Sequence, residues 1–236
     1  MTNRRLSLAF VLEGAEEACF FNIVQGHGVA PCFDLHFLPA IENGVFPPNG
    51  AQRVGSFFHD AYSNEAYDLV FCLYDVDYRQ NEKGSPFNDV QDDLLEVLGS
   101  QEAVDQVSLC TNPNILQYLL LGVQPLDQVA LLSGSKRTNT PIVHQCWPEI
   151  GRPIQNQRGQ DATKHYDARD WQLEIIKNSY TYGPASYDVL LANAEALSMD
   201  YLCPNHPGGN LLPVLKALKE GNIEFFLEIK KRLNTD

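Results

Sequence analysis

Short runs of apolar residues alternate along the first half of the chain with stretches of helical spacing, and this alternation constrains the fold most strongly. The clearest runs, at residues 6–12 and 67–74, are almost wholly apolar, which is typical of strands buried on both faces of a sheet. Parallel strands need a crossover connection, and helices between the strands provide it. The pattern therefore predicts an α/β fold with a mainly parallel sheet and helices on both of its faces.

The same periodicities predict the individual elements. Strands are expected at residues 6–12, 32–38, 67–74 and 104–110, the last one interrupted by residues 111–113. Helices are expected from residue 15 onwards and at about residues 52–64, 87–98, 114–122, 170–179, 185–198 and 211–233. Residues 133–158 are polar and contain several prolines, which predicts a loop-rich insertion.

The domain organisation follows from this division. Residues 1–125 form the predicted α/β core, and residues 126–236 form a loop-rich insertion and a helical C-terminal part packed on the core. A chain of 236 residues is long enough for one sizeable domain with an insertion and short for two independent ones.

The chain is acidic, with a formal charge of −13 from 17 Lys and Arg against 30 Asp and Glu. Acidity disfavours tight unaided binding to nucleic acid, because neutralised phosphates supply most of the non-specific affinity. It is compatible with an enzyme whose carboxylates hold a metal, or with help from a more basic partner. Without an apolar run of membrane-spanning length or a signal-peptide pattern, we expect a cytoplasmic protein with no membrane partner.

Six cysteines are spread singly along the chain. Cys72 and Cys110 lie inside apolar runs, so buried free thiols are favoured over a disulfide or a zinc site.

Polar residues follow the predicted strands at their carboxyl ends. Glu13 and Gly14 follow the first strand, Asp75 and Asp77 follow the third, and Asn112 follows the fourth. Ligand sites of parallel sheets lie at this edge, so we expect one crevice to collect these residues. Carboxylate oxygens suit Mg²⁺, which keeps several waters and takes further ligands from substrate phosphates. For the Asp-x-Asp pair alone, a solvated acidic turn is the alternative.

The sequence E-G-x-x-E beginning at Glu13, followed by D-V-D beginning at Asp75, resembles the TOPRIM domain of topoisomerases, primases and OLD-family nucleases. In that family a Glu-Gly loop and an Asp-x-Asp motif bind magnesium. Within it, the chain is most similar to RloB-like proteins and to the TOPRIM nuclease subunit of the PARIS antiphage system. Residues 111–121 resemble their Ser-Asn-Pro block and leucine-rich helix, and residues 205–215, with Asn210 before the final helix, resemble their C-terminal block.

The resemblance implies a TOPRIM-like, Rossmann-like fold and a Mg²⁺-dependent nuclease, for which Mn²⁺ is a substitute. It implies that Glu13, Asp75 and Asp77 coordinate the metal and activate water. It also implies a toxic effector in phage defence that cleaves RNA, with tRNA as one candidate, rather than DNA. A separate ATPase partner would control the activity, and a homo-oligomer is left open.

Four further residues have a functional and a structural interpretation. Glu17 is either another metal ligand or an acid favoured by the positive end of a helix. Gly14 allows a sharp turn, and the resemblance places it beside the substrate together with Asn112; for Asn112 the alternative is capping of the next helix. Lys164 either offsets charge on the cleaved phosphate, as in some related nucleases, or is a solvated surface lysine.

The chain also departs from the family pattern. RloB-like proteins carry a Glu where this chain has Leu116 and a His where it has Gly122. If that Glu holds a second metal in RloB-like proteins, this chain would bind one metal, have altered activity or have lost its activity. A catalytically degraded TOPRIM-fold binding or regulatory subunit is therefore the second hypothesis. Phosphatase-like hydrolysis is the third, although such enzymes place the nucleophilic Asp after the first strand, where this chain has Glu13.

Overall fold

A sheet of four parallel strands, extended by a short antiparallel fifth, forms the centre of the molecule. The computed structural model describes residues 5–40, 51–76, 86–112, 115, 122, 184–196 and 208–234. The strands are β1 (Leu6–Leu12), β2 (Phe33–Leu38), β3 (Leu69–Asp75), β4 (Ser108–Asn112) and β5 (Gly208–Gly209). The helices are α1 (Ala15–His27), α2 (Ala51–Tyr62), α3 (Pro86–Leu98), α4 (Gln101–Val107), α5 (Pro184–Ala196), α6 (Leu212–Glu220) and α7 (Ile223–Leu233).

The strand order is β2-β1-β3-β4-β5. β1 pairs in parallel with β2 and with β3, and β3 pairs in parallel with β4, whereas β5 is antiparallel to β4. The central strands β1 and β3 are buried along almost their whole length, as their apolar runs predict. The predicted α/β class is confirmed, and the carboxyl ends of the parallel strands meet at one edge of the sheet.

Helices cover both faces of the sheet. On one face Phe10 of β1 stacks on Phe71 of β3, with 5.3 Å between ring centroids, and contacts Phe21 of α1 at 4.6 Å. Side chains alternate between the faces along a strand, so Tyr74 points away from the face that holds Phe71. Tyr74 packs there against Phe87 of α3, at 5.8 Å between ring centroids.

The fourth strand begins later than predicted. Residues 104–107, which were predicted to be strand, are the end of α4. Ser100 caps this helix by accepting a hydrogen bond from the amide of Ala103 at 3.2 Å. Val104 and Val107, three residues apart, fit one face of a helix, whereas their β-branched side chains and the apolar run that follows favour a strand. The same shift moves Thr111 and Asn112 out of the predicted interruption and into β4.

The final helical region consists of two helices. Gly221 takes the left-handed conformation, with φ of 68°, between α6 and α7. Asn222 then caps α7 by accepting a hydrogen bond from the amide of Phe225 at 3.1 Å. Phe226 of α7 reaches the sheet and packs edge-on against Phe71, with 6.1 Å between ring centroids.

The other described elements lie within a few residues of their predicted positions. β3 ends at Asp75, so this residue is the last of the strand rather than the first after it. The predicted helix at residues 170–179, the loop-rich residues 133–158 and most of the helix at 114–122 lie outside the described residues. None of the described helices has the length and apolar character needed to cross a membrane.

Candidate metal centre

Glu13 and Asp75 lie side by side at the carboxyl edge of the sheet. β1 and β3 are neighbours, with Leu12 paired to Leu73, so the chain leaves both strands at the same level. The amide of Glu13 donates to the carbonyl of Leu73 at 3.1 Å. The amide of Asp75 in turn donates to Oε2 of Glu13 at 3.0 Å. The fold therefore brings together two of the three predicted metal ligands.

Oδ1 of Asp75 accepts two hydrogen bonds from the chain segment at the end of β4. The hydroxyl of Thr111 donates to it at 2.6 Å, and the amide of Ile115 donates at 2.9 Å. Thr111 is fully buried and is the register partner of Asp75 on the adjacent strand, so its side chain lies on the same face. Sequence reasoning missed Thr111, because it placed this residue in a break after the strand. Thr111 could have been identified as a hydroxyl residue directly before Asn112, on the strand next to the one that ends in Asp-x-Asp.

Glu17 is buried in the first turn of α1, with 3% of its surface exposed. Its Oε2 lies 3.3 Å from the position that a Cβ on Gly14 would take, so the carboxylate folds back over the loop after β1. Gly14 has φ of −156°, which is extended backbone open to any residue. The chain bends at Glu13 and Gly14, as expected, but this backbone conformation does not require glycine; a Cβ at position 14 would instead crowd the Glu17 carboxylate.

Two buried thiols lie behind this edge of the sheet. Burial raises the pKa of Cys72 well above the ordinary value of 9.0, and Cys110 and Glu13 raise it further. Burial raises the pKa of Cys110 to about 12, against the lowering effect of hydrogen bonds with Tyr74 and Ser108. Both thiols are protonated at neutral pH, and the prediction that they are free and buried is confirmed. The groups with metal-binding character here are hard carboxylate oxygens, which suit Mg²⁺ better than thiolate-binding metals.

A buried polar cluster joins α3 to the ends of β3 and β4. The hydroxyl groups of Tyr74 and Ser108 are 2.7 Å apart. The amide nitrogen of Gln91 donates to both, at 2.8 Å from Ser108 Oγ. These bonds fix the two strands that carry Asp75 and Thr111, on the face of the sheet opposite to them.

Asn210 holds the other side of β4. Its Oδ1 accepts a hydrogen bond from the amide of Cys110 at 2.8 Å, and its Nδ2 donates to the carbonyl of Ser108 at 2.7 Å. Its own amide also donates to the carbonyl of Cys110 at 3.3 Å. The side chain thus pairs with β4 as a strand backbone would, directly before the strand reaches Thr111.

The remaining predicted site residues are not placed by the structure. Asp77 and Lys164 lie outside the described residues, and so does the side chain of Asn112. Among the residues that are described, no group of three or more His, Cys, Asp or Glu side chains is arranged to hold a metal ion. The described donor set is the pair Glu13 and Asp75, with the carboxylate of Glu17 folded over the adjoining loop.

This donor set fits a divalent cation of hard character. Two carboxylates at adjacent strand ends match the small number of protein ligands that Mg²⁺ takes, because this ion keeps several waters.

Comparison of the chain with protein-family models, with curated proteins and with solved structures finds no match.

Proposed function

We propose that the chain is a Mg²⁺-dependent nuclease of the TOPRIM kind, which hydrolyses phosphodiester bonds in nucleic acid. The observation that carries the proposal is the hydrogen bond from the amide of Asp75 to the carboxylate of Glu13. It links the Glu-Gly and Asp-x-Asp motifs at the edge of a parallel sheet where ligand sites lie. The parallel sheet with helices on both faces supports the α/β part of the TOPRIM-like interpretation.

Each residue has a definite role in this proposal. Glu13 and Asp75 hold the ion, with Asp77 as the third ligand and Glu17 as a further carboxylate beside the loop. When bound, Mg²⁺ neutralises charge on the phosphate and activates water. Lys164 offsets charge on the cleaved phosphate.

The substrate and partners follow from the family resemblance and from the charge of the chain. RNA is favoured over DNA, tRNA is one candidate, and the protein acts as a toxic effector in phage defence. The formal charge of −13 favours help from a more basic partner in holding a polyanion. The resemblance implies a separate ATPase partner that controls the activity. Gly14 and Asn112 lie beside the substrate in this proposal, and the resemblance leaves a homo-oligomer open.

The alternative is a catalytically degraded binding or regulatory subunit with the same fold. Oδ1 of Asp75 accepts hydrogen bonds from Thr111 and Ile115, so this carboxylate has a structural role that requires no metal. Leu116 and Gly122, which stand where relatives carry a Glu and a His, favour the same alternative.

The substitution Asp75→Asn separates the two proposals. Asparagine keeps an oxygen that accepts from Thr111 and Ile115, so the fold is retained, whereas the charge that holds a cation is lost. We would measure thermal unfolding with Mg²⁺ or with EDTA, and cleavage of end-labelled tRNA and single-stranded DNA. The nuclease proposal expects Mg²⁺ to raise the unfolding temperature of the wild type and to support cleavage. In Asp75→Asn the Mg²⁺-dependent stabilisation should be lost and the cleavage rate reduced by about 100-fold or more.

A degraded subunit gives a different result. Wild type and Asp75→Asn would then unfold at the same temperature with and without Mg²⁺, and neither would cleave the substrates. Cleavage of equal rate by both proteins would contradict the proposed role of Asp75 directly. The ATPase would be added in a parallel reaction, so that a nuclease that requires its partner is also detected.

A further inference from the structure

We propose that Thr111 is a positioning residue for the metal centre, which acts by fixing the orientation of the Asp75 carboxylate. This inference rests on the proposed metal-binding function of Glu13 and Asp75. Thr111 has no acidic or basic group, and it lies outside both the Glu-Gly and the Asp-x-Asp motif.

The first argument is the geometry at Asp75. Oδ1 lies 2.6 Å from the hydroxyl of Thr111 and 2.9 Å from the amide of Ile115. A carboxylate oxygen held by two donors cannot turn about the side-chain bond without breaking both. The position of Oδ2 is thereby fixed as well, because the two oxygens belong to one planar group.

The second argument is the rigidity of Thr111 itself. Its side chain is fully buried, and its backbone is in register with Asp75 in the parallel pair of β3 and β4. Its carbonyl accepts a hydrogen bond from the amide of Val76 at 2.9 Å. Both the backbone and the hydroxyl of Thr111 are therefore tied to the strand end that carries the Asp-x-Asp motif.

The third argument is chemical. A hydroxyl that donates to a carboxylate forms a short, charge-assisted bond, and such partners orient metal-binding carboxylates and affect metal affinity. Valine has the shape of threonine without the donor, and serine keeps the donor with one methyl group fewer. The hydroxyl can therefore be tested separately from the packing.

The experiment measures Mn²⁺ binding by electron paramagnetic resonance in wild type, Thr111→Val, Thr111→Ser and Asp75→Asn. We expect Thr111→Val to weaken Mn²⁺ binding by about 10- to 100-fold and Thr111→Ser to retain near-wild-type affinity. Combined with Asp75→Asn, the valine substitution should add little, because it acts through that carboxylate. Asn222→Ala, which removes a helix cap on α7, controls for a general loss of stability and should leave Mn²⁺ affinity unchanged.

Unfolding of each variant in EDTA shows whether it is folded. If Thr111→Val does not fold, Thr111→Ala and Thr111→Ser provide the comparison, since they differ by the hydroxyl alone. Equal Mn²⁺ affinity with and without the hydroxyl, while Asp75→Asn loses binding, would overturn the role of Thr111 and leave the metal centre standing. Absence of Asp75-dependent Mn²⁺ binding in the wild type would overturn the proposed function and this inference together.

Discussion

The amide of Asp75, on the last residue of β3, donates a hydrogen bond to Oε2 of Glu13, on the loop after β1, at 3.0 Å. Glu13 therefore spans the gap between two neighbouring strand ends and satisfies a backbone donor at the edge of the sheet. The bond involves the carboxylate of Glu13 and the backbone of Asp75, whereas Oδ1 of Asp75 is held from the other side by Thr111 and Ile115. Loss of the Glu13 carboxylate should therefore have consequences for stability, through this bond, and, under the proposed function, for metal binding.

Two substitutions of Glu13 separate these consequences. Glu13→Gln keeps an oxygen that accepts from the amide of Asp75, so its free energy of unfolding in EDTA should stay close to that of the wild type. Glu13→Ala removes the acceptor and should lower the free energy of unfolding by about 1–3 kcal/mol. Urea unfolding in EDTA measures both. Equal stability of the two variants would show that the bond does not contribute.

The same pair of variants has a second expected result with Mg²⁺. The cation should raise the unfolding temperature of the wild type and of neither variant, because each has lost a ligand charge. Stabilisation of Glu13→Gln by Mg²⁺ to the same extent as the wild type would contradict a role for Glu13 as a ligand.

Asn210 tests how the C-terminal segment supports the site. Asn210→Ala removes the bonds to the amide of Cys110 and the carbonyl of Ser108, and both of those residues are buried. We expect the free energy of unfolding to fall by about 2–4 kcal/mol, from two lost bonds to buried backbone groups. The control Asn222→Ala removes one cap bond, from the amide of Phe225, and should cost about 1 kcal/mol. Equal losses in urea unfolding would show that Asn210 is not a special support of β4.

The convergence of Glu13 and Asp75 could be predicted, and the support around them could not. Two apolar runs, each followed by an acid, are enough to place both acids at one sheet edge, because parallel strands share the direction of their ends. The role of Thr111 could be predicted only if the position of β4 were known. The sequence does not define where β4 begins, because residues 104–107 have features of both a helix and a strand. In the structure these residues are helical, and Ser100 caps the helix by accepting a hydrogen bond from the amide of Ala103. A single capping residue is a weaker signal in a sequence than a pattern of apolar residues.

The C-terminal support shows a second limit. β5 consists of Gly208 and Gly209, which have no side chains and therefore no apolar period to detect. Asn210 meets β4 across about a hundred residues of chain, and no local pattern in the sequence predicts such a contact. The sequence therefore predicts that carboxylates lie at the carboxyl edge of the sheet. It does not predict the tertiary contacts that stabilise this edge.

Gly55 of α2 sets the distance between α2 and α3. A Cβ at this position would lie 2.5 Å from Cβ and Cγ of Asp93 on α3, which is too close for any real contact. Gly55→Ala should therefore push the helices apart and lower the free energy of unfolding by about 1–3 kcal/mol, despite the better helix propensity of alanine. Gly26→Ala is the matched control, since a Cβ on Gly26 of α1 meets nothing within 4 Å. That variant should gain about 0.5–1 kcal/mol, and destabilisation of equal size by both substitutions would contradict the role of Gly55.

The buried thiol of Cys110 makes stability depend on alkaline pH. Burial raises its pKa from the ordinary 9.0 to about 12, so the unfolded chain loses this proton at a lower pH than the folded protein does. The stabilisation is complete below pH 9 and is lost progressively as the pH rises towards 12, by at most about 1.4 kcal/mol per pH unit for this group. Cys110→Ala should therefore show a shallower fall in the free energy of unfolding between pH 8.5 and 10.5 than Cys32→Ala, which removes a half-buried thiol. Urea unfolding at three pH values measures the slopes. Loss of Cys110 also removes its raising effect on the pKa of Cys72, which makes the slope of Cys110→Ala shallower still. Identical slopes would mean that the Cys110 thiolate forms as readily in the folded protein as in the unfolded chain.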